Sequence, residues 1–298
     1  MTTVTTTEGR IGNAPGSQGT VTVCGPGSAW TTGSGILVGY HGNGTLQILN
    51  GGQVTTSTEA QSATVIIGAA SEAIGTVLVK GPNANLDSYR MTVGDYGTGT
   101  LEITHGGHVN LTHLTIDNNL DGDSFINMAT GGMLTLPFYT SEVILASFLA
   151  RINGTDAIRY WDDTIDDWSL LTNGTLGVDY TLEFEPIEEY PYPNQEESGY
   201  AALIVGTAPI LGDANGDGIV DSSDATILSN HWQQGINNCQ PATWSTGDFN
   251  FDDIVDASDA TILAGNWQQT TTPNTVPEPS TILLFLTASL GWLFVQRR

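Results

Sequence analysis

Two twelve-residue stretches carry the side chains best suited to chemistry, and that chemistry is the binding of a hard cation. DANGDGIVDSSD runs from Asp213 to Asp224, and DFNFDDIVDASD from Asp248 to Asp259. The first places oxygen-bearing side chains at loop positions 1, 3, 5, 9 and 12, namely Asp213, Asn215, Asp217, Asp221 and Asp224. The second does the same with Asp248, Asn250, Asp252, Asp256 and Asp259. With the backbone carbonyls of Ile219 and Ile254 at position 7, this is the spacing by which an EF-hand-type loop wraps oxygens around Ca²⁺. Gly218 fills position 6, where the chain turns sharply and a residue without Cβ is favoured. Asp253 stands there in the second loop, a departure that bears on its occupancy. Turns rich in Asp, Asn and Gly that hold nothing are the alternative. Mg²⁺ fits less well, because it takes fewer protein ligands and keeps its waters.

The elements that position these loops are also repeated. DSSDATILSNHWQQ and DASDATILAGNWQQ follow the same course, each a short helix with Ile and Leu on one face and a Trp closing it. A duplication 35 residues apart that copies both ligands and helix argues for a binding site over a pair of turns. The pattern resembles a type I dockerin domain over residues 208–270. That resemblance implies two Ca²⁺ sites and docking to a cohesin-like module, often within polysaccharide-degrading systems. It also implies that loop positions 10 and 11, here Ser222, Ser223, Ala257 and Ser258, help choose the partner.

Composition narrows the field. The 298 residues carry 7 Lys and Arg against 32 Asp and Glu, a net charge of −25, and no Lys or Arg lies between Arg159 and Arg297. A nucleic-acid binder needs a basic footprint, so that class is excluded. Cys24 and Cys239 fall in different expected domains and suggest no disulfide framework. The opening residues show no basic segment followed by an apolar one, so no secretory signal is visible, and residues 1–18 are read as disordered or truncated.

Residues 19–110 repeat. GTVTVCGPGSAW at Gly19 returns as GTVLVKGPNANL at Gly75, and LVGYHGNGTLQILNGGQV at Leu37 returns as TVGDYGTGTLEITHGGHV at Thr92. The Gly-Thr motif begins at Gly19, Gly44, Gly75 and Gly99, giving turns 24 to 31 residues long. Alternating apolar and polar residues with glycine corners predict short strands stacked as a parallel β-helix, in which one turn cannot bury its apolar face alone. A β-sandwich is the alternative. The stretch resembles the Gly-rich repeats of autotransporter-like and PEP-CTERM-associated surface proteins, which implies an elongated exported body. Residues 111–207 read as its continuation and cap, with a short helix expected within Ser141–Ile152 and an exposed acidic loop over Glu183–Glu197.

Catalytic constellations are the minority reading. Asp162, Asp163, Asp166 and Asp167 between Trp161 and Trp168 could pair carboxylates beside sugar-stacking indoles, or simply form an acidic turn. His105, His108 and His113 could be grouped as metal ligands, but their strand spacing beside Gly-Gly reads as surface variation. No nucleophile elbow, P-loop or Cys-x-x-Cys occurs.

After a Thr- and Pro-rich linker, 271–279, comes Val276-Pro277-Glu278-Pro279, then an apolar run and finally Arg297-Arg298. Sixteen apolar-rich residues would span about 24 Å as a helix against a bilayer core of about 30 Å. A single transmembrane helix over 280–298 is nonetheless expected, and with it C-terminal membrane anchoring. The order resembles the PEP-CTERM sorting signal, which implies export and handling by an exosortase-type enzyme. The expectation as a whole is a mainly β protein: a solenoid body, a small α module with EF-hand-type loops, and a terminal transmembrane helix. Its function is calcium-dependent protein docking at the cell surface or in the extracellular matrix. A polysaccharide-active lyase or hydrolase, or a carbohydrate binder acting on an extracellular polysaccharide, is the alternative.

Overall fold

The computed structural model describes residues 2–56, 63–81, 83–129, 131–162, 164–165, 167–186, 199–206, 210–235, 242–249 and 254–270. The body is built from β1 (Thr3–Ile11), β2 (Gln18–Cys24), β3 (Ala29–Val38), β4 (Asn43–Leu49), β5 (Gln53–Thr56), β6 (Thr64–Ile67), β7 (Ile74–Lys80), β8 (Asn85–Val93) and β9 (Thr98–Thr104). It continues through β10 (His108–Ile116), β11 (Phe125–Ala129), β12 (Gly132–Phe138), α1 (Leu145–Leu149), β13 (Ile152–Gly154), β14 (Ile158–Asp162), β15 (Asp167–Leu170), β16 (Tyr180–Pro186) and β17 (Gly199–Val205). The chain winds between two sheets. One runs β1-β3-β5-β8-β10-β12-β17-β16, with β6 and β13 at its side, and the other runs β15-β14-β11-β9-β7-β4-β2. From β1 to β12 neighbouring strands pair in parallel, as do β2, β4, β7, β9 and β11. A β-sandwich of hairpins is therefore excluded, and the coil expected from the repeats is present.

The register explains why the alternation works. Val23, Ile48, Val79, Ile103 and Met128 stand one above another, as do Leu46, Val77, Leu101, Ile126 and Ile158, and all are buried. Each turn thus caps the apolar face of the one below it. The Gly-Thr motif is a corner device: Gly19, Gly44, Gly75 and Gly99 are also in register. A Cβ on Gly75 would lie 2.3 Å from the Val38 carbonyl oxygen, so backbone packs against backbone there.

Two expectations are corrected. Residues Thr3–Ile11, read as part of a disordered or truncated N-terminus, form β1 and pair with β3. Their polar, Thr-rich sequence hides a strand that is ordered by its neighbour. The short helix expected within Ser141–Ile152 is present as α1, capped at Ile144, whose N–H is taken by the Ser147 hydroxyl; Phe148 buries against Phe138. The C-terminal transmembrane helix, and with it the membrane anchor, is also overturned. Among the described residues no helix is long and apolar enough to cross a membrane, and the longest span nine residues, about 14 Å. Residues 280–298, to which that helix was assigned, lie outside the described residues.

The parallel stack ends on antiparallel strands. β17 pairs antiparallel with β12 and β16, and β14 with β15. Near that end His105 occupies a left-handed corner (φ 54°), as Asn50 does two turns earlier (φ 46°). Burial pushes the His105 imidazole down to about 4, with Lys80 contributing, and its buried Nδ1 has no partner. The unfolded chain therefore binds a proton that the folded one refuses, and stability falls as pH drops from about 6.5 towards 4. His105→Asn, which restores the residue of the earlier corner, should lose less melting temperature than the parent between pH 7 and pH 5. Equal losses would show that burial of this ring does not control the acid limb.

Candidate functional site

Beyond the body, α2 (Ser222–Asn230) and α3 (Ala257–Gly265) are each launched by one of the acidic loops. The ends of the loops are helix caps. Asp221 accepts the Ser223 N–H and Asp224 accepts the Asp221 N–H; Asp256 and Asp259 repeat both bonds. Carboxylates at a helix N-terminus satisfy orphan donors and suit the helix dipole. The position-12 residues reach further. Asp224, fully buried, also accepts the Ala214 and Asn215 N–H groups at 2.8 and 3.2 Å, and Asp259, equally buried, accepts that of Phe249 at 2.7 Å.

The rest of the first loop folds inward on the same oxygens. Asp213 is 3% exposed and accepts the N–H groups of Gly216 and Gly218. Gly218 is left-handed (φ 83°), as position 6 demands. Asn215 accepts the Asp217 N–H, and Asp217 accepts that of Ile219. Burial holds the Asp213 carboxyl above the usual carboxylate range, and the charges of Asp224 and Asp217 add to this. In the second loop Asp248 is fully buried, whereas Asn250, Asp252 and Asp253 lie outside the described residues. Ser222, Ser223, Ala257 and Ser258 are exposed on the first turns of the two helices.

The two repeats are clasped into one unit. Val220 exchanges backbone hydrogen bonds with Gln268 and Gln269 beyond α3, and Val255 does so with Gln233 and Gln234 beyond α2. Gln233 and Gln268 share a left-handed φ of 63° and 64°. Each loop is therefore completed by the tail of the other repeat, and Val220, Val255, Leu228, Leu263, Trp244 and Phe249 form the shared core. The Trp244 indole N–H donates to the Asp213 carbonyl at 2.5 Å, tying the inter-repeat segment to the first loop. Spacing alone did not reveal Trp244. The duplicated Trp-Gln-Gln was the visible trace of the clasp.

Residues 211–274 match the family model for the dockerin type I domain. The chain carries a dockerin. Its last residues, 275–298, match the PEP-CTERM protein-sorting motif, with Val276–Pro279, Arg297 and Arg298 all outside the described residues. A stretch of 97 residues is 36% identical to an uncharacterized lipoprotein, YdeK, of Escherichia coli strain K12, covering 31% of this chain and 7% of that protein. The match thus spans a small part of that relative's length. No solved structure matches.

Outside the dockerin, the sequence-selected groups do not converge. His108 contacts the Thr135 hydroxyl, His113 that of Tyr89, and the three histidines form no ligating group. Trp161 and Trp168 pair across the β14–β15 hairpin at 5.4 Å. Asp162 there accepts the Thr164 hydroxyl and N–H, bonds that hold its carboxyl below the usual range, as in a turn cap and unlike a general acid. Asp163 and Asp166 lie outside the described residues. Among the described residues one acidic group is close enough to hold a metal ion: Asp117, Asp121 and Asp123, one oxygen of each within 4.8 Å of the others. No spacing in the sequence marks this corner, which falls within residues 111–207, the expected continuation and cap of the coil.

Proposed function

We propose that this exported, dockerin-bearing β-solenoid protein docks a cohesin-like module in a Ca²⁺-dependent manner, with the solenoid as the body that is displayed. The observation that carries the reading is a charge imbalance. Asp213, Asp224, Asp248 and Asp259 are all buried, and the dockerin contains no Lys or Arg to neutralise them. Buried carboxylates without a cation are costly, and the donor set is oxygen throughout, which suits Ca²⁺. Asp213, Asn215, Asp217, Asp221, Asp224 and the Ile219 carbonyl would hold the first ion. Asp248, Asn250, Asp252, Asp256, Asp259 and the Ile254 carbonyl would hold the second.

Bound Ca²⁺ would supply the positive charge that lets the helix pair order. What the chain's own residues do is cap both helices, clasp the repeats through Val220 and Val255, and present Ser222, Ser223, Ala257 and Ser258 to the partner. The sorting motif supports handling by an exosortase-type enzyme during export. Calorimetric Ca²⁺ titration of the full chain should show binding that Asp213→Ala reduces by one equivalent, with capture by a cohesin panel lost on chelation. Unchanged calcium affinity in Asp213→Ala, or capture indifferent to chelator, would sink the reading.

A further inference from the structure

The acidic corner between β10 and β11 lies far along the chain from the dockerin and has a property the dockerin comparison does not address. Asp117 is 1% exposed, and its Oδ1 is buried without any hydrogen-bond partner, while its Oδ2 accepts only the Gly122 N–H at 2.9 Å. The other two carboxylates each bring an oxygen within 4.8 Å of it. Asp121 accepts the Asn119 amide and, at 3.3 Å, the Asp123 N–H; Asp123 accepts the hydroxyls of Thr98 and Ser124 at 2.6 and 3.0 Å. None of the three makes an ion pair.

The stacking register shows how unusual the buried acid is. The Asp117 N–H donates to the Val93 carbonyl, the bond that Gly94 makes to Ile67, Gly68 to Val38 and Gly39 to Ile11 in preceding turns. At this left-handed corner those three turns use glycine (φ 70° to 75°), and this one uses aspartate (φ 55°). A carboxylate oxygen placed there, shut from water and given no donor, lacks the partner that every buried charge requires. Oxygens no more than 4.8 Å apart are close enough to share one ion coordinated at about 2.4 Å. Hard oxygen donors select Ca²⁺ over softer metals.

We propose that Asp117, Asp121 and Asp123 form a Ca²⁺ site within the solenoid, separate from the dockerin loops, which pins the β10–β11 corner. The test compares full chains by calorimetric Ca²⁺ titration at physiological salt: the parent, Asp121→Ala, Asp117→Asn and, as a control, Glu72→Ala at another exposed corner. Asp121 is exposed, so its replacement should leave the fold intact even if that of Asp117 does not, as matched circular dichroism would verify. The expected result is one Ca²⁺ equivalent fewer in Asp121→Ala and in any folded Asp117→Asn, with Glu72→Ala unchanged. A stoichiometry in Asp121→Ala equal to the parent's overturns the site. An equal loss in Glu72→Ala also overturns it, since that would mean diffuse attraction to an acidic surface. Failure of the dockerin loops to bind would lower every chain alike and leave this difference untouched.

Discussion

Asp224→Ala should unfold the dockerin even at saturating Ca²⁺, seen in the full chain as loss of ellipticity at 222 nm together with the dockerin's share of the calcium isotherm. The carboxylate is fully buried and accepts three backbone N–H groups, from Ala214, Asn215 and Asp221. Alanine leaves those donors without partners, at about 1–3 kcal/mol for each one that stays buried, and removes half of the α2 capping box, about 1 kcal/mol more. A small helical module with a core of eight buried apolar residues among those described has little reserve against such a loss. Because Val220 and Val255 clasp the repeats reciprocally, α3 should melt with α2. A variant that keeps α3 and the second loop's calcium affinity would show the repeats to be independent.

Gly75→Ala should be a strongly destabilising small substitution in the solenoid. The added Cβ would sit 2.3 Å from the Val38 oxygen and 2.4 Å from the Gly68 nitrogen, both backbone atoms that cannot rotate aside. Forcing the turns apart should cost about 1–3 kcal/mol. For a body of this size that is a melting-temperature loss of roughly 2–12 °C. Gly33→Ala is the matched control: its Cβ would meet nothing closer than 3.6 Å, at the Thr7 oxygen, and it should stay within about 0.5 kcal/mol of the parent. If the two variants melt together, the corner glycines recur in register for flexibility and not for close approach.

Much of this protein is written in its local sequence. The intervals between Gly19, Gly44, Gly75 and Gly99 set the turns of the coil, because a glycine corner and an alternating strand are short-range devices that neighbouring copies must match. The spacing of Asp213, Gly218, Asp221 and Asp224 likewise fixed where the first loop turns and where α2 begins, since capping and a left-handed glycine act within one loop. Tertiary structure decided what depends on contacts distant in sequence. β1 is a strand only because β3 lies beside it. Trp244 reaches the Asp213 carbonyl across 31 residues, and the clasp between Val220 and Gln268–Gln269 joins segments that no periodicity relates. Asp117 illustrates the same limit: no spacing in the sequence marks it, and only in the folded coil is its carboxylate buried with one oxygen left without a partner. Burial is a property of the assembled coil, so a charge that looks solvated in the sequence can become the most demanding group in the fold.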